Sequence, residues 1–380
     1  MIAAGVLLLA ACKSPPPPLY PPASAAVGPE YGLFWFGKEN ANQLALPGEA
    51  NPYYDPARPT FIFVHGWKPD QGYTHRTMIW EFEDASGQEQ SVDLAAAWVD
   101  AGWNIGVFDW GPFADESIVT DAEAKIWTTN GNEGMRWRDR EGEYRTDHTV
   151  DRPISDLFYG TLVHALADFH GPELRIAGHS LGNQVAVGAV GKVATDVRAG
   201  KLPSELLPSQ LVLLDPYWSP VGQDYLGKQS TGDAVRRFIA EDVEPQKIVI
   251  SWYRSSLMTE GILVSDANEA LRRFVATYSQ LDPAYCSVAD QVCRHDAAWQ
   301  SYLYSFAFSP PKECVRTAPD AECLPTGRMA ASASAPIETL AEMTGQPFDW
   351  VQVAGPDEKS LLTRRTDDDW YERIRAETPQ

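Results

Sequence analysis

The sequence predicts an α/β fold: a mostly parallel sheet with helices on both faces. Five short apolar runs, rich in β-branched and aromatic residues, alternate with stretches in which apolar residues recur at helical spacing. The runs end at turns, and apolar strands of this kind are buried on both faces, as in parallel sheets. The five runs cover residues 60–64, 103–108, 174–177, 210–214 and 247–252.

Composition and charge agree with a folded protein and exclude some partners. The 380 residues suffice for one large domain or two ordinary ones with a sizeable core. Hydrophobic residues make up 44% and charged residues 22%, far from the signature of disorder. Lys plus Arg number 31 against 52 Asp plus Glu, which gives a net charge of −21. Because this charge repels phosphate backbones, we expect no nucleic-acid partner.

The chain begins with a segment that is typical of a signal peptide. Its apolar run of about ten residues is half the length that a transmembrane helix needs. The run ends in Leu9-Ala10-Ala11-Cys12. Small residues before a cysteine resemble the lipobox of bacterial lipoproteins, in which the signal is cut before a cysteine that carries a lipid. The resemblance implies a lipoprotein signal peptide at 1–11 and a lipid anchor at Cys12.

The lipobox resemblance also implies a location outside the cytoplasm, attached to a bacterial membrane. In a Gram-negative bacterium, Lys13 after the cysteine points to the outer membrane. Residues 1–5 contain no Lys or Arg, unlike the usual positive start of a signal. The alternatives are therefore a plain signal peptide or a chance apolar start.

The remaining chain divides into three predicted parts. Residues 12–56 form a lipidated, proline-rich tether, because the prolines from Pro15 onward favour extended polyproline geometry without a core. The α/β domain is predicted at 57–310. Residues 311–380 form a C-terminal extension to which the sequence assigns no chemistry.

The cysteine count agrees with an exported protein. Of five cysteines, four remain when the lipidated one is set aside, and four in an exported chain indicate two disulfides. Four cysteines allow three pairings. Proximity in the chain favours Cys286 with Cys293 and Cys314 with Cys323.

A catalytic motif follows the third apolar run. Gly178-His179-Ser180-Leu181-Gly182 comes directly after a predicted strand and before a predicted helix, as in a nucleophile elbow. A serine hydroxyl is a poor nucleophile at neutral pH, so it needs a base and a carboxylate that orients the base. In this fold the chain order is serine, acid, histidine.

This order selects the base and narrows the choice of acid. Of seven histidines, only His295 follows Ser180; its alternative role is a surface histidine beside a disulfide. Asp215 alone among the candidate acids ends an apolar strand, and its distance from Ser180 leaves room for a helix and a return to the next parallel strand. Its alternative role is a turn or helix cap. The other candidates are Asp224, Asp233, Asp242, Asp266, Asp282 and Asp290.

Together these segments resemble the pancreatic-lipase-like family of α/β hydrolases over residues 57–310. The resemblance rests on Phe63–Trp67, Val107–Trp110, Ile176–Gly182, Leu213–Pro216 and Cys293–His295, in the family's order. It implies the α/β-hydrolase fold, with an acid after the strand that follows the nucleophile strand and a histidine two residues after a disulfide-bonded cysteine. These positions match Asp215 and His295. It further implies that the backbone N–H groups of Trp67 and Leu181 form the oxyanion hole.

The resemblance implies a serine carboxylester hydrolase of the lipase or esterase type, acting on acyl esters or lipids through an acyl-enzyme. Two alternatives stay open: an acyltransferase or thioesterase with the same triad, and a catalytically silent fold that binds lipid or a partner at the cell surface. No metal-ligand spacing and no phosphate-binding glycine loop occurs in the sequence, so we predict no cofactor or metal.

Three further features bear on how the site is covered and lined. The Cys286–Cys293 loop encloses six residues, too few for the long lid of the family. The polar insertion at 113–153 is a cap or, as we favour, a surface loop. Tryptophans near the strand ends either line an acyl pocket or pack in the core, and for any single one core packing is the better interpretation. They are Trp67, Trp110, Trp218 and Trp252.

His65 is expected to support the oxyanion turn, and Asp109 to fix a loop by hydrogen bonds.

The lipid anchor is testable by one substitution. Cys12→Ala is expected to release the protein from the membrane fraction, because a single side chain carries the attachment. Fractionation after labelling with palmitate measures this. A wild-type protein that takes up no label would contradict the anchor.

Overall fold

The computed structural model describes residues 28–70, 77–83, 88–259, 265–283, 285–308, 310–318, 321–346, 348–353 and 370–375. The predicted signal peptide 1–11 and the anchor at Cys12 lie outside the described residues. Within those ranges, no helix has the length and apolar character needed to cross a membrane.

Sixteen strands and eight α-helices lie in this part of the chain. The strands are β1 (Gly32–Phe36), β2 (Asn42–Leu44), β3 (Thr60–Val64), β4 (Ile79–Glu83), β5 (Glu89–Asp93), β6 (Asn104–Asp109), β7 (Trp137–Arg138), β8 (Tyr144–Arg145), β9 (Leu174–His179), β10 (Gln210–Leu214), β11 (Val249–Arg254), β12 (Thr277–Gln280), β13 (Lys312–Val315), β14 (Leu324–Met329), β15 (Phe348–Val353) and β16 (Trp370–Arg375). The helices are α1 (Leu94–Asp100), α2 (Gly111–Ala114), α3 (Val119–Trp127), α4 (Ile154–Ala165), α5 (Gly182–Arg198), α6 (Thr231–Phe238), α7 (Gln291–Leu303) and α8 (Ile337–Ala341).

Twelve of these strands form one sheet, in the order β14-β13-β16-β15-β12-β11-β10-β9-β3-β6-β1-β2. The seven neighbours from β6 to β15 run parallel. Beyond β6 the pairs with β1 and β2 are antiparallel, and beyond β15 the antiparallel pairs β15–β16 and β13–β14 are joined by the parallel pair β13–β16. β4 with β5 and β7 with β8 form two separate antiparallel pairs. A parallel centre in which a serine turn joins β9 to α5 is the α/β-hydrolase fold, so the predicted fold class is confirmed.

Alternating side chains build two cores, one on each face of the sheet. Along β3, Ile62 and Val64 face the core of α4, α5 and α6, whereas Phe61 and Phe63 face the core of α1, α7 and α8. Because successive side chains point to opposite faces, a strand that is apolar throughout serves both cores.

Two strands lie where the sequence predicted a tether. Within the predicted range 12–56, β1 is fully buried and pairs with β6, and β2 pairs with β1. The reason is the apolar segment Gly32-Leu33-Phe34-Trp35-Phe36, which lies well after the prolines and fills a place between β6 and the edge strand β2. The α/β domain therefore begins before residue 57.

The predicted C-terminal extension, 311–380, contributes four strands to the same sheet. β15 pairs with β12 in parallel, with Ser279 opposite Trp350, and Trp350 is buried. The buried guanidinium of Arg175 on β9 donates to the carbonyl oxygens of Ala333 at 2.5 Å and Ala335 at 3.3 Å. These contacts make the described residues after 310 part of the same fold, so the predicted boundary at residue 310 is wrong as a limit of the fold.

The polar insertion at 113–153 is folded, in contrast to the surface loop that we favoured. It contains α3, β7 and β8. Lys125 is buried and donates to the Glu116 carboxylate at 2.6 Å and to the Arg136 carbonyl oxygen at 2.6 Å. Glu116 and Lys125 thus pair inside the segment instead of facing solvent, which a composition-based interpretation misses.

Both disulfides that proximity favoured are present. Cys286 and Cys293 are bonded with Cα atoms 5.6 Å apart, and Cys314 and Cys323 with Cα atoms 5.4 Å apart. The second bond packs beside Trp370 and joins the ends of β13 and β14.

A chain that ends at residue 310 should lose cooperative folding. It would expose the edge of β12 and remove the buried side chains of Leu340, Trp350 and Tyr371. Burial of each of these side chains stabilises the fold by about 1.5–3 kcal/mol, whereas the free energy of unfolding of a whole domain is only about 5–15 kcal/mol. Thermal unfolding followed by circular dichroism measures the loss. A truncated chain that melts cooperatively at the full-length temperature would show that 57–310 folds alone.

Candidate active site

The candidate nucleophile lies in a strained turn between β9 and α5. Ser180 has φ of 54°, in the left-handed region that side-chain-bearing residues rarely adopt. The glycines on either side permit close backbone packing. A Cβ at Gly178 would lie 2.4 Å from the Gly182 carbonyl oxygen, and a Cβ at Gly182 would lie 2.2 Å from the Val64 carbonyl oxygen. Only glycine therefore fits both positions.

Hydrogen bonds join this turn to the end of β10. The Ser180 N–H donates to the Leu214 carbonyl oxygen at 3.1 Å. The Asn183 side chain donates to the carbonyl oxygens of Ser180 at 3.0 Å and Leu214 at 3.1 Å, and accepts the Leu214 N–H at 3.2 Å. Since Asp215 follows directly, the serine turn and the acid are held by one network.

Asp215 is fully buried and is held by uncharged donors. Its Oδ1 accepts the backbone N–H groups of Ser255 at 3.0 Å and Ser256 at 3.3 Å and the Thr259 hydroxyl at 3.3 Å. The Ser256 hydroxyl donates to Oδ2. These donors compensate a buried carboxylate, which would otherwise be costly to desolvate. Asp215 itself has φ of 39°, a second left-handed residue at this edge.

His295, near the start of α7, forms the remaining contact of Asp215. Its Nδ1 lies 2.6 Å from Asp215 Oδ2. A carboxylate only accepts, so Nδ1 carries the proton and Nε2 is left free to accept one. The beginning of α7 is fixed by Asp290, which caps the helix by accepting the Cys293 N–H at 3.0 Å, and by the Cys286–Cys293 disulfide.

Asp215 is thus hydrogen-bonded to His295. The Ser180 turn is hydrogen-bonded to Leu214, the last residue of β10, which directly precedes Asp215. All three predicted residues lie at the carboxyl ends of central strands or beside them, where sites occur in open α/β sheets. Within the ranges that the model covers, no three His, Cys, Asp or Glu side chains are grouped to hold a metal ion.

A second histidine, His179, contacts His295. The ring centroids lie 4.4 Å apart and the planes are tilted by 44°. His179 Nε2 lies 3.0 Å from the His295 carbonyl oxygen. Burial, and then the charge of the His295 ring, lower the pKa of His179 well below its usual value. His179 is therefore neutral at pH 7.

The predicted oxyanion residues flank Ser180. Gly66 passes so close that a Cβ there would lie 3.3 Å from Ser180 Oγ, which brings the strand end before Trp67 against the nucleophile. Leu181 is buried and stands at the N-terminus of α5, where the helix dipole is positive. Leu181 thus follows the nucleophile directly in the chain, and Trp67 follows the glycine that packs against it.

A buried ion network supports the segment after Gly66. Trp67 Nε1 donates to the Glu116 carbonyl oxygen at 2.6 Å. The Glu116 carboxylate pairs with Lys125 at 2.6 Å and Arg136 at 2.5 Å. Burial raises the pKa of Glu116, but Arg136 and Lys125 outweigh burial and lower it, so the carboxylate stays charged. The 113–153 segment thus supports this edge of the site.

His65 and Asp109 lie where the sequence analysis expected support for the oxyanion turn. His65 Nδ1 donates to the Gly66 carbonyl oxygen at 2.9 Å, and its Nε2 lies 3.1 Å from the Trp110 backbone nitrogen and 3.2 Å from Asp109 Oδ1. Asp109 Oδ1 accepts the Gly111 N–H at 2.8 Å. The His65 side chain is occupied by holding the turn.

Tryptophans do not line an acyl pocket as a group. Trp110, Trp218 and Trp252 are buried in the core under α5, so core packing applies to them, whereas Trp67 is only half-buried. Exposed apolar side chains lie just after β11 and just before His295 in the chain. They are Leu257, Met258, Val288 and Val292.

Sequence reasoning missed three supporting residues. Chain order excludes His179 as the catalytic base, because it precedes the serine, but chain order says nothing about a supporting role. Ser256 comes just after the end of β11, the same strand-end signal that selected Asp215. Asn183 is a fully buried polar residue in the first turn of α5, and such a residue needs hydrogen-bond partners.

No family model and no curated protein sequence matches this chain. Among solved structures, LpqC, a poly(3-hydroxybutyrate) depolymerase from Bordetella parapertussis, is 16% identical over 58% of this chain and 63% of its own, with a TM-score of 0.28. A glucuronoyl esterase from Solibacter usitatus is 12% identical over 64% of both chains, with a TM-score of 0.29. Brefeldin A esterase is 15% identical over 73% of this chain and 75% of its own, with a TM-score of 0.32. The chain spans less than two thirds of the first two, and at these scores none of the three decides its activity.

Two helical glycines provide a matched stability test. Gly182→Ala should lower the free energy of unfolding by about 1–3 kcal/mol, because its Cβ would meet backbone oxygen. Gly160→Ala in α4 meets no atom within 4 Å and should raise it by about 0.5–1 kcal/mol through helix propensity. Urea unfolding measures both, and equal effects would contradict the close contact of α5 with β3.

Proposed function

We propose that this protein is a serine carboxylester hydrolase of the lipase or esterase type, in the pancreatic-lipase-like family. The observation that carries the proposal is the 2.6 Å hydrogen bond between His295 Nδ1 and buried Asp215, at the sheet edge where Ser180 occupies a left-handed turn. A surface histidine would have no reason to bond a buried carboxylate that four further donors already hold.

The proposed reaction follows from the proton positions. Ser180 Oγ attacks the ester carbonyl carbon while His295 Nε2 takes its proton, and Asp215 stabilises the imidazolium that results. The N–H groups of Trp67 and Leu181 bind the oxyanion of the tetrahedral intermediate, an interaction worth several kcal/mol in a site without water. The histidine then gives its proton to the leaving alcohol. Water, activated by the same histidine, cleaves the acyl-enzyme.

The proposed substrates are acyl esters, lipids included. Exposed Leu257, Met258, Val288 and Val292, just after β11 and just before His295 in the chain, would provide apolar surface for an acyl chain, and each methylene removed from water contributes about 0.8 kcal/mol. Gln291 holds this surface in place, since it accepts the Leu257 N–H at 2.6 Å and donates to the Val288 carbonyl oxygen at 2.6 Å.

We further propose that the enzyme works outside the cytoplasm, attached to a bacterial membrane through a lipid at Cys12. Two disulfides are in keeping with an oxidising compartment. The proline-rich stretch after Cys12 would separate the anchor from the sheet, whose first strand begins at Gly32.

Replacing the nucleophile tests the proposed function. Ser180→Ala should reduce hydrolysis of p-nitrophenyl esters by a factor on the order of 10⁶, and His295→Ala about as much, because triad members act as a unit. Initial rates over a series of acyl chain lengths measure this. The matched control is Ser204→Ala, an exposed serine remote from the site.

A covalent probe complements the rates. An organophosphonate should label wild type and the Ser204→Ala control at one serine and leave Ser180→Ala unlabelled. Full activity of Ser180→Ala, or labelling at another serine, would overturn the assignment. Hydrolysis of thioesters in preference to oxygen esters would favour the thioesterase alternative.

A further inference from the structure

We infer that His179 is a positioning residue for His295: its ring and its Nε2–H hold the base in place to accept the Ser180 proton. This inference rests on the proposed function and deepens it. His179 takes no part in the reaction steps above.

The geometry gives His179 two contacts with the base. Its Nε2 lies 3.0 Å from the His295 carbonyl oxygen, and its ring lies 4.4 Å, centroid to centroid, from the His295 ring. A carbonyl oxygen only accepts, so Nε2 carries a proton and donates it. The bond therefore ties the residue before the nucleophile to the backbone of the base, 116 positions later in the chain.

Burial makes the polarity of His179 significant. The residue is 4% exposed, a place where an apolar side chain would pack without cost, whereas a buried imidazole needs a partner for its N–H. That partner is the backbone carbonyl oxygen of His295, the residue whose ring must be oriented toward Ser180. The other orienting contact, Asp215 to His295 Nδ1, restrains one atom of the ring and leaves the ring free to tilt about that bond. The neighbouring His179 ring and the hydrogen bond from His179 to the His295 backbone remove this freedom.

The charge state of His179 suits this role. During the reaction His295 becomes an imidazolium, and a second cation 4.4 Å away would oppose that change. Burial keeps His179 neutral, as its lowered pKa indicates. A neutral ring imposes no such repulsion.

Three substitutions separate the donor from the ring. His179→Phe keeps the ring and loses the donor. His179→Gln keeps an amide donor at the reach of Nε2, and His179→Asn carries the same amide one methylene shorter. The control is His170→Phe, an exposed histidine whose ring also bonds a backbone carbonyl, of Asp168 at 2.8 Å, remote from the site.

The measurements are kcat and KM on a soluble ester, normalised to active sites titrated with a phosphonate, together with thermal unfolding. We expect kcat per titrated site to fall about 10–100-fold in His179→Phe and His179→Asn, since small misplacements of a reacting group have effects of this size. KM should change less than about twofold, because substrate binding does not involve His179. His179→Gln should recover most of the loss, and His170→Phe should match wild type.

A purely structural role would lower the unfolding temperature or the titrated fraction and leave kcat per site unchanged in all three variants; that result overturns the inference. Equal kcat values in the Gln and Asn variants would also overturn the inference. If His179→Phe does not fold, the comparison of these two variants is the deciding test. A wild type that cleaves no ester and takes up no phosphonate instead overturns the proposed function, and the inference with it.

Discussion

Helix α5 packs against β3 with no side chain between the two backbones. Gly182 lies against the carbonyl oxygens of Val64 and His65, and this contact sets the height of the helix over the sheet. The Ser180 turn is therefore pressed onto the end of β3, and Gly66 onto the serine. The network through Asn183 to β10, the position of Leu181 and the placing of Asp215 all depend on this one close approach.

The centre of the fold follows from the sequence because its signals are local. The predicted runs 60–64 and 210–214 coincide with β3 and β10, since each is short, apolar after its first residue and bounded by turns. The outer strands carry no such signal. β14 is largely exposed, and β16 is buried only at its first two residues. They join the sheet through partners distant in the chain, among them the Arg175 contacts with the backbone after β14, and composition does not reveal these.

The candidate site was predictable to the extent that chain order and strand ends specify it. Those rules led to Ser180, Asp215 and His295, and the structure bonds the last two to each other. They did not identify the residues that fix the positions of these three side chains, because the contacts that fix them depend on which loops meet above the sheet. The insertion at 113–153 illustrates this: its acidic and basic residues suggest a solvated loop, yet Glu116, Lys125 and Arg136 pair with one another beneath Trp67.

The strand order also has a consequence for how the protein is made. Strands β3, β6 and β9 to β12 are complete in the growing chain while β15, the parallel partner of β12, has yet to be synthesised. Until it arrives, β12 presents an open row of backbone donors and acceptors, and such an edge pairs readily with other chains. The edge of β12 is therefore open to self-association until β15 has been added and has paired with it.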